Sequence, residues 1–154
     1  MDRIHNSKES SLDLNIEYYQ VADKFKPVGI WYGINNDWLE WCVNEMPHWI
    51  YEYVYKLNVD ISNILIITNK QELKEFINEY ENKLYAGIYG VDWWKVSRDF
   101  TGIELQNYNV LRWTEGLSNF HIWLSEWDVN GGCIWDLSVI KNIKRRKTHK
   151  KYFS

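Results

Sequence analysis

Residues 26–45 read KPVGIWYGINNDWLEWCVNE, and two different periods meet inside them. After Lys26-Pro27, the run VGIWYG is a short apolar strand that Gly33 ends. Asn35, Asn36 and Asp37 supply capping oxygens for a helix over residues 37–45, with Trp38, Trp41, Cys42 and Glu45 at helical spacing and Pro47 as its stop. Upstream, LNIEYYQVA (residues 14–22) alternates, placing Leu14, Ile16 and Tyr18 on one face of a predicted strand. Downstream, Trp49, Tyr51, Tyr53, Tyr55, Leu57 and Val59 alternate in the same way and predict a long half-buried strand.

The rest of the chain keeps changing period. NILIIT (residues 63–68) is an apolar strand, and Thr68 with Gln71 resembles a capping box. The helix it opens aligns Leu73, Phe76, Ile77, Tyr80 and Leu84 in one stripe. A loop with Gly87 and Gly90 leads to a short helix over 92–99 and a strand, TGIELQNY, over 101–108. Residues 111–130 fit a helix by Phe120, Trp123, Leu124 and Trp127, or a buried strand by their rings. Gly131-Gly132 breaks the chain before a strand CIWDL, and SVIKNIK is a last strand or short helix. Strands and helices without a regular βαβ beat predict an α+β fold with a mostly antiparallel sheet and a few short helices. A single domain over residues 1–154 is expected, with 1–10 and 147–154 as loose ends.

Composition narrows the class. Of 154 residues, 45% are hydrophobic and 25% charged, which is ordinary for a globular chain and excludes disorder. No apolar run is long enough to span a bilayer, and the polar start MDRIHNSKES lacks a signal-peptide core, so a cytoplasmic protein is expected. Cys42 and Cys133 lie far apart without CxxC spacing, which predicts two reduced thiols. The net charge is −3, but residues 141–154 hold seven of the 18 basic residues and none of the 21 acidic ones. The tail residues Lys144, Arg145, Arg146 and Lys147 suit phosphate contacts, while the acidic remainder argues against a whole-domain duplex-DNA binder. Aromatic residues make up 17%, including ten Trp. Such rings build a strong core or line a pocket for a flat ligand.

Motifs for common chemistries are missing. His5, His48, His121 and His149 are scattered singly with no HxxxH, so no metal site is predicted. There is no GxGxxG, no GxxxxGK[ST] and no GxSxG. Paired carboxylates could come from Glu104 with Glu126 or Asp128, although no local motif singles them out.

One constellation stands out. Gly29-Ile30-Trp31-Tyr32-Gly33, running into a helix with Trp38 and Trp41, resembles the second motif of the ADP-ribosyltransferase superfamily in its poly(ADP-ribose) polymerase branch. There a G-I-Y-F-A strand leads into a helix whose aromatic stacks on nicotinamide, within one residue of Trp41. Gly102-Ile103-Glu104-Leu105 places one carboxylate in a late apolar strand, like the family's catalytic Glu. Tyr18 and Tyr19 occupy the place of its first-motif residue. Leu39 falls at or near the position of the family's helix serine, and WDVNGGCIW (residues 127–135) has no counterpart.

The resemblance spans about residues 16–105. It implies a split sheet and NAD as substrate, with Tyr18, Tyr19, Gly29, Trp31, Tyr32, Trp38 and Trp41 holding the nicotinamide end. Glu104 would be catalytic, stabilising the charge that develops on the ribose as nicotinamide leaves. The acceptor of ADP-ribose would be a protein or nucleic acid, as for a small toxin-like or phage-type effector. The alternative from the residues alone is a non-enzymatic aromatic-rich module that binds single-stranded nucleic acid, a glycan or a protein partner.

Overall fold

A computed structural model describes residues 1–117 and 120–153. Among these described residues nine strands form: β1 (Arg3–Ser7), β2 (Ile30–Ile34), β3 (Tyr53–Val59), β4 (Ile64–Ile67), β5 (Glu81–Tyr85), β6 (Ile88–Val91), β7 (Gly102–Leu105), β8 (Gly131–Ile134) and β9 (Ile140–Lys147). Five helices accompany them: α1 (Asp37–Glu45), α2 (Lys70–Tyr80), α3 (Trp93–Asp99), and the single turns α4 (Tyr108–Leu111) and α5 (Ile122–Ser125). The fold is α+β. Seven strands make one sheet in the order β4-β7-β8-β2-β1-β3-β9, antiparallel except for the β4–β7 pair, and β5–β6 is a separate hairpin. The sheet is thus continuous, where the family resemblance implies a split one.

Several elements differ from expectation. The N-terminus is not loose: β1 pairs with both β2 and β3 in the sheet interior. Nor is residue 147 frayed, since β9 pairs along β3 as far as Lys147, and Lys150–Phe153 form a 3-10 turn. Residues 14–22 form no strand, because no neighbouring strand completes their ladder; Leu12, Leu14 and Tyr18 lie against the sheet instead. The long strand expected from Trp49 begins at Tyr53, because Pro47–Trp49 is a 3-10 turn. Helix α2 starts from an Asn69 cap that accepts Glu72 N–H, while Glu72 reaches back to Thr68 N–H and Oγ. It ends at Tyr80, so Leu84 belongs to the hairpin. At α1 no side-chain cap forms, contrary to the reading of residues 35–37. In the ambiguous segment 111–130 the described residues hold the end of α4 at Leu111 and the turn α5, and Ser118 and Asn119 lie outside the described residues.

The two-residue period of strands assigns the sheet's faces. On one face Leu65, Ile67, Ile103, Leu105 and Cys133 pack beneath α2, α3, α4 and α5, around Leu73, Phe76, Trp93 and Trp123. On the other, Ile30, Tyr32, Ile34, Tyr55, Leu57, Ile64 and Ile134 form a second core. Leu12 and Leu14 of the irregular N-terminal segment, together with Leu137 and Ile140, close that core. A third cluster, Ile4, Leu39, Cys42, Ile50 and Val54, seats α1. Trp31 joins the helix-covered core and Tyr32 the opposite one, so the two adjacent rings leave opposite faces of β2.

Candidate functional site: a tryptophan cleft on one face of the sheet

Glu104 is fully buried and fully partnered. Arg3 donates from Nε to Oε1 at 2.7 Å and from Nη2 to Oε2 at 3.2 Å, a two-pronged pair. The Tyr32 hydroxyl donates to Oε1 at 2.7 Å and Gln106 Nε2 to Oε2 at 2.6 Å. Register explains the convergence. Tyr32, Gly132 and Glu104 stand opposite one another on β2, β8 and β7. With no side chain on Gly132, the phenol lies across β8, and a Cβ there would sit 2.6 Å from its oxygen. Burial, then the neighbouring carboxylate, hold the Tyr32 pKa well above its ordinary value, so the phenol stays a donor. Burial works against the Arg3 charge, but Glu104 outweighs it and raises the guanidinium pKa. The Glu104 oxygens are thereby committed to the protein, as in a structural knot.

The indoles gather elsewhere. Trp31, Trp38, Trp41, Trp49 and Trp127 line one cleft of about 720 Å³, with His5, Asn6, Lys26, Tyr51, Glu126 and Asp128; Glu104 is not in its lining. Trp38 and Trp41 are three apart on α1 and share a face, with ring centroids 5.1 Å apart and planes 17° from parallel. Met46-Pro47 ends the helix, and the following 3-10 turn returns Trp49 to 6.1 Å from Trp38 at 21°. Across the cleft Trp31 meets Trp127 edge-on at 4.8 Å, and the Trp127 Nε1–H is tied to the Gly131 carbonyl.

The polar groups of the cleft come from two turns. Asn130 anchors the turn that carries Asp128: its carbonyl accepts Ile34 N–H, its Oδ1 accepts Tyr108 N–H, and its Nδ2 donates to Asp37. Asp128 takes a left-handed backbone, φ 72°, which Asp tolerates better than most residues. Burial raises its carboxyl pKa, with Lys26 pulling the other way. No described residue hydrogen-bonds its side chain. Lys26 donates to the Glu126 carbonyl at 3.0 Å and stands 5.3 Å above the Trp31 ring. His5 Nδ1–H points at the Trp31 carbonyl at 2.5 Å, and burial lowers the ring's pKa, so the imidazole is neutral.

The expected nicotinamide-binding set is therefore divided. Trp31, Trp38 and Trp41 share the cleft, whereas Tyr32 belongs to the Glu104 knot. Tyr32 appears in the cleft's lining, but its hydroxyl reaches the other face. Tyr18 and Tyr19 lie in a different shallow recess with Trp94 and Trp135, and Tyr19 is 76% exposed, bonded to Glu17. Gly29 serves packing: a Cβ there would collide with the Ile134 carbonyl on β8. Glu104 and the pair Glu126 and Asp128 stand in separate places, so they form no acid pair. Of the tail residues Lys144, Arg145, Arg146 and Lys147, all in the edge strand β9, Arg145 donates to the Ser10 carbonyl and Lys147 pairs with Glu52 at 3.4 Å.

No family model matches the chain, and neither a curated protein nor a solved structure does.

Reading the sequence alone misses Trp49, Trp127 and Lys26 as cleft residues, and offers Asp128 only as a partner acid for Glu104. The available signal was WDVNGGCIW, which puts a ring and a carboxylate side by side just before a Gly-Gly strand. Neither cysteine is an activated nucleophile, and neither lines the cleft. Burial pushes the Cys42 thiol up to about 12 and Cys133 well above its ordinary value, so both stay protonated. Among the described residues no His, Cys, Asp and Glu side chains gather as a metal site, and no helix is long and apolar enough to cross a membrane.

Proposed function

We propose that the protein is a non-enzymatic binding module that captures a small ligand in its tryptophan cleft. One observation supports this above the transferase reading. Five indoles from four parts of the chain converge on a single cleft, while Glu104 points away from it and is saturated by Arg3, Tyr32 and Gln106. Catalysis on NAD needs the acid beside the ring that the indoles hold; here a sheet layer lies between them. A volume near 720 Å³ is within the range of roughly 300–1,000 Å³ for small-molecule sites, and apolar walls with a few polar groups are their usual make-up.

The test is a titration followed by indole fluorescence, with choline, methyl glucoside and NAD as probes, alongside an assay for free nicotinamide. The module reading expects saturable quenching by at least one probe, weakened in Trp49→Ala, with no nicotinamide released. Steady nicotinamide release that disappears in Glu104→Gln would overturn it in favour of an ADP-ribosyltransferase. Basic tail contacts with an acceptor would then regain their purpose.

A further inference from the structure

Resting on the module reading, we infer that the cleft is selective for a small molecule carrying an alkylated ammonium group, held by the indole faces and by Asp128. Each indole face carries negative quadrupole potential, and a cation over it within about 6 Å is attracted, most strongly where water is excluded. Five such rings line this cleft; Trp38 stacks against both Trp41 and Trp49, which are tilted 37° from each other. They supply attraction without directed hydrogen bonds, which suits a cation whose methyl groups replace its N–H donors. A bare ammonium or guanidinium asks for several acceptors in fixed places.

The second element is Asp128. Its carboxylate is half-buried in the wall of the cleft and accepts no hydrogen bond from a described residue. The Asn130 anchors fix its turn from three sides, so its position is set before any ligand arrives. The half-buried carboxylate feels the cations Lys26 and Arg112 but is not hydrogen-bonded by either, so its oxygens stay free to face a ligand cation in the cleft. Lys26 does not discharge this role: its ammonium donates to the Glu126 carbonyl and rides over Trp31. Its placement does show a cation seated on one of these indoles. Glu126 at the same turn adds a second negative charge, against the single Lys26, so the lining is net acidic.

Neutral sugars would also stack on indoles, but they gain nothing from the charge of Asp128. That difference makes the inference testable. The probes are choline, its neutral isostere 3,3-dimethylbutan-1-ol, and methyl glucoside, titrated into the wild-type chain, Asp128→Asn and the control Glu40→Gln. Asn tolerates the left-handed backbone at least as well as Asp, so the variant keeps the turn. The expected result is saturable quenching by choline, with the isostere about tenfold weaker. Asp128→Asn should weaken choline several-fold while leaving the isostere and the Glu40→Gln titrations unchanged.

Equal affinity for choline and its isostere would overturn the inference, as would saturation by methyl glucoside with none by choline; either leaves the module reading standing. An Asp128→Asn variant that binds choline like the wild type would also overturn it. Absence of quenching by all three probes and by NAD would remove both.

Discussion

Replacing Arg3 with Met leaves Glu104 as a carboxylate sealed in the sheet with only Tyr32 and Gln106 donating to it. The side chain of Glu104 is 0% exposed and that of Arg3 13%, so little water reaches either group. Breaking a buried pair by removing one partner costs about 3–5 kcal/mol, and the two remaining donors put this case near the lower end, about 3. Glu104→Gln removes the charge but turns an NH₂ group toward donors, at a cost of about 2 kcal/mol. In the double variant no buried charge is left unpaired, so the cost should stay near that of Arg3→Met alone, an interaction energy of about 2 kcal/mol. Urea unfolding of the four proteins, followed by indole fluorescence and checked by far-ultraviolet circular dichroism, measures this directly. Stability is only about 5–15 kcal/mol in total, so such changes are large. Additive single costs, or an Arg3→Met variant within about 0.5 kcal/mol of wild type, would refute the view that Glu104 anchors the fold.

Three further outcomes follow from the same contacts. Gly132→Ala forces a methyl against the Tyr32 phenol and the Ile103 carbonyl, and should cost about 1–3 kcal/mol in a thermal melt because backbone cannot yield there. Trp49 is 38% exposed at the mouth of the cleft, so Trp49→Ala should change stability by less than about 1.5 kcal/mol while weakening choline about tenfold. Choline carries a permanent charge, so its affinity should fall on acidification as Asp128 takes up a proton. Burial raises that carboxyl's pKa, with Lys26 and Arg112 opposing the rise and Glu126 adding to it, so the fall begins at milder acidity than for an exposed Asp and is smaller in Asp128→Asn.

Where the fold was legible, a pattern and its packing agreed. Helix α2 was readable because Leu73, Phe76, Ile77 and Tyr80 all meet the helix-side core. The alternation at residues 14–22 misled because burial of one face needs no ladder: Leu14 and Tyr18 touch the sheet from an unpaired segment. The start of the chain misled in the opposite direction. Arg3 and His5 make RIHNS look solvated, yet their partners are Glu104 and the Trp31 carbonyl, far along the chain. No local pattern encodes such pairs. In β9 the basic run IKRRK hid an edge strand, where lysines and arginines discourage further pairing.

At the site, Glu104 was legible as an unusual acid in an apolar strand, but its face was not used. Trp31 and Tyr32 are adjacent in β2, and the two-residue period alone forbids both rings from lining one side with the same acid. What could not be read was the return of Trp49 by a proline-led turn and the anchoring of Asp128 by Asn130. Both depend on contacts between distant segments.

The most direct test of a ligand site on the indole face is a nitrogen–proton correlation spectrum of the ten Trp side-chain N–H groups during a choline titration. Shifts should concentrate on Trp31, Trp38, Trp41, Trp49 and Trp127, with Trp93, Trp123 and Trp135 unmoved in their core and backbone contacts. Shifts confined to Trp93, Trp123 or Trp135, with the five cleft indoles silent at saturating choline, would contradict the account.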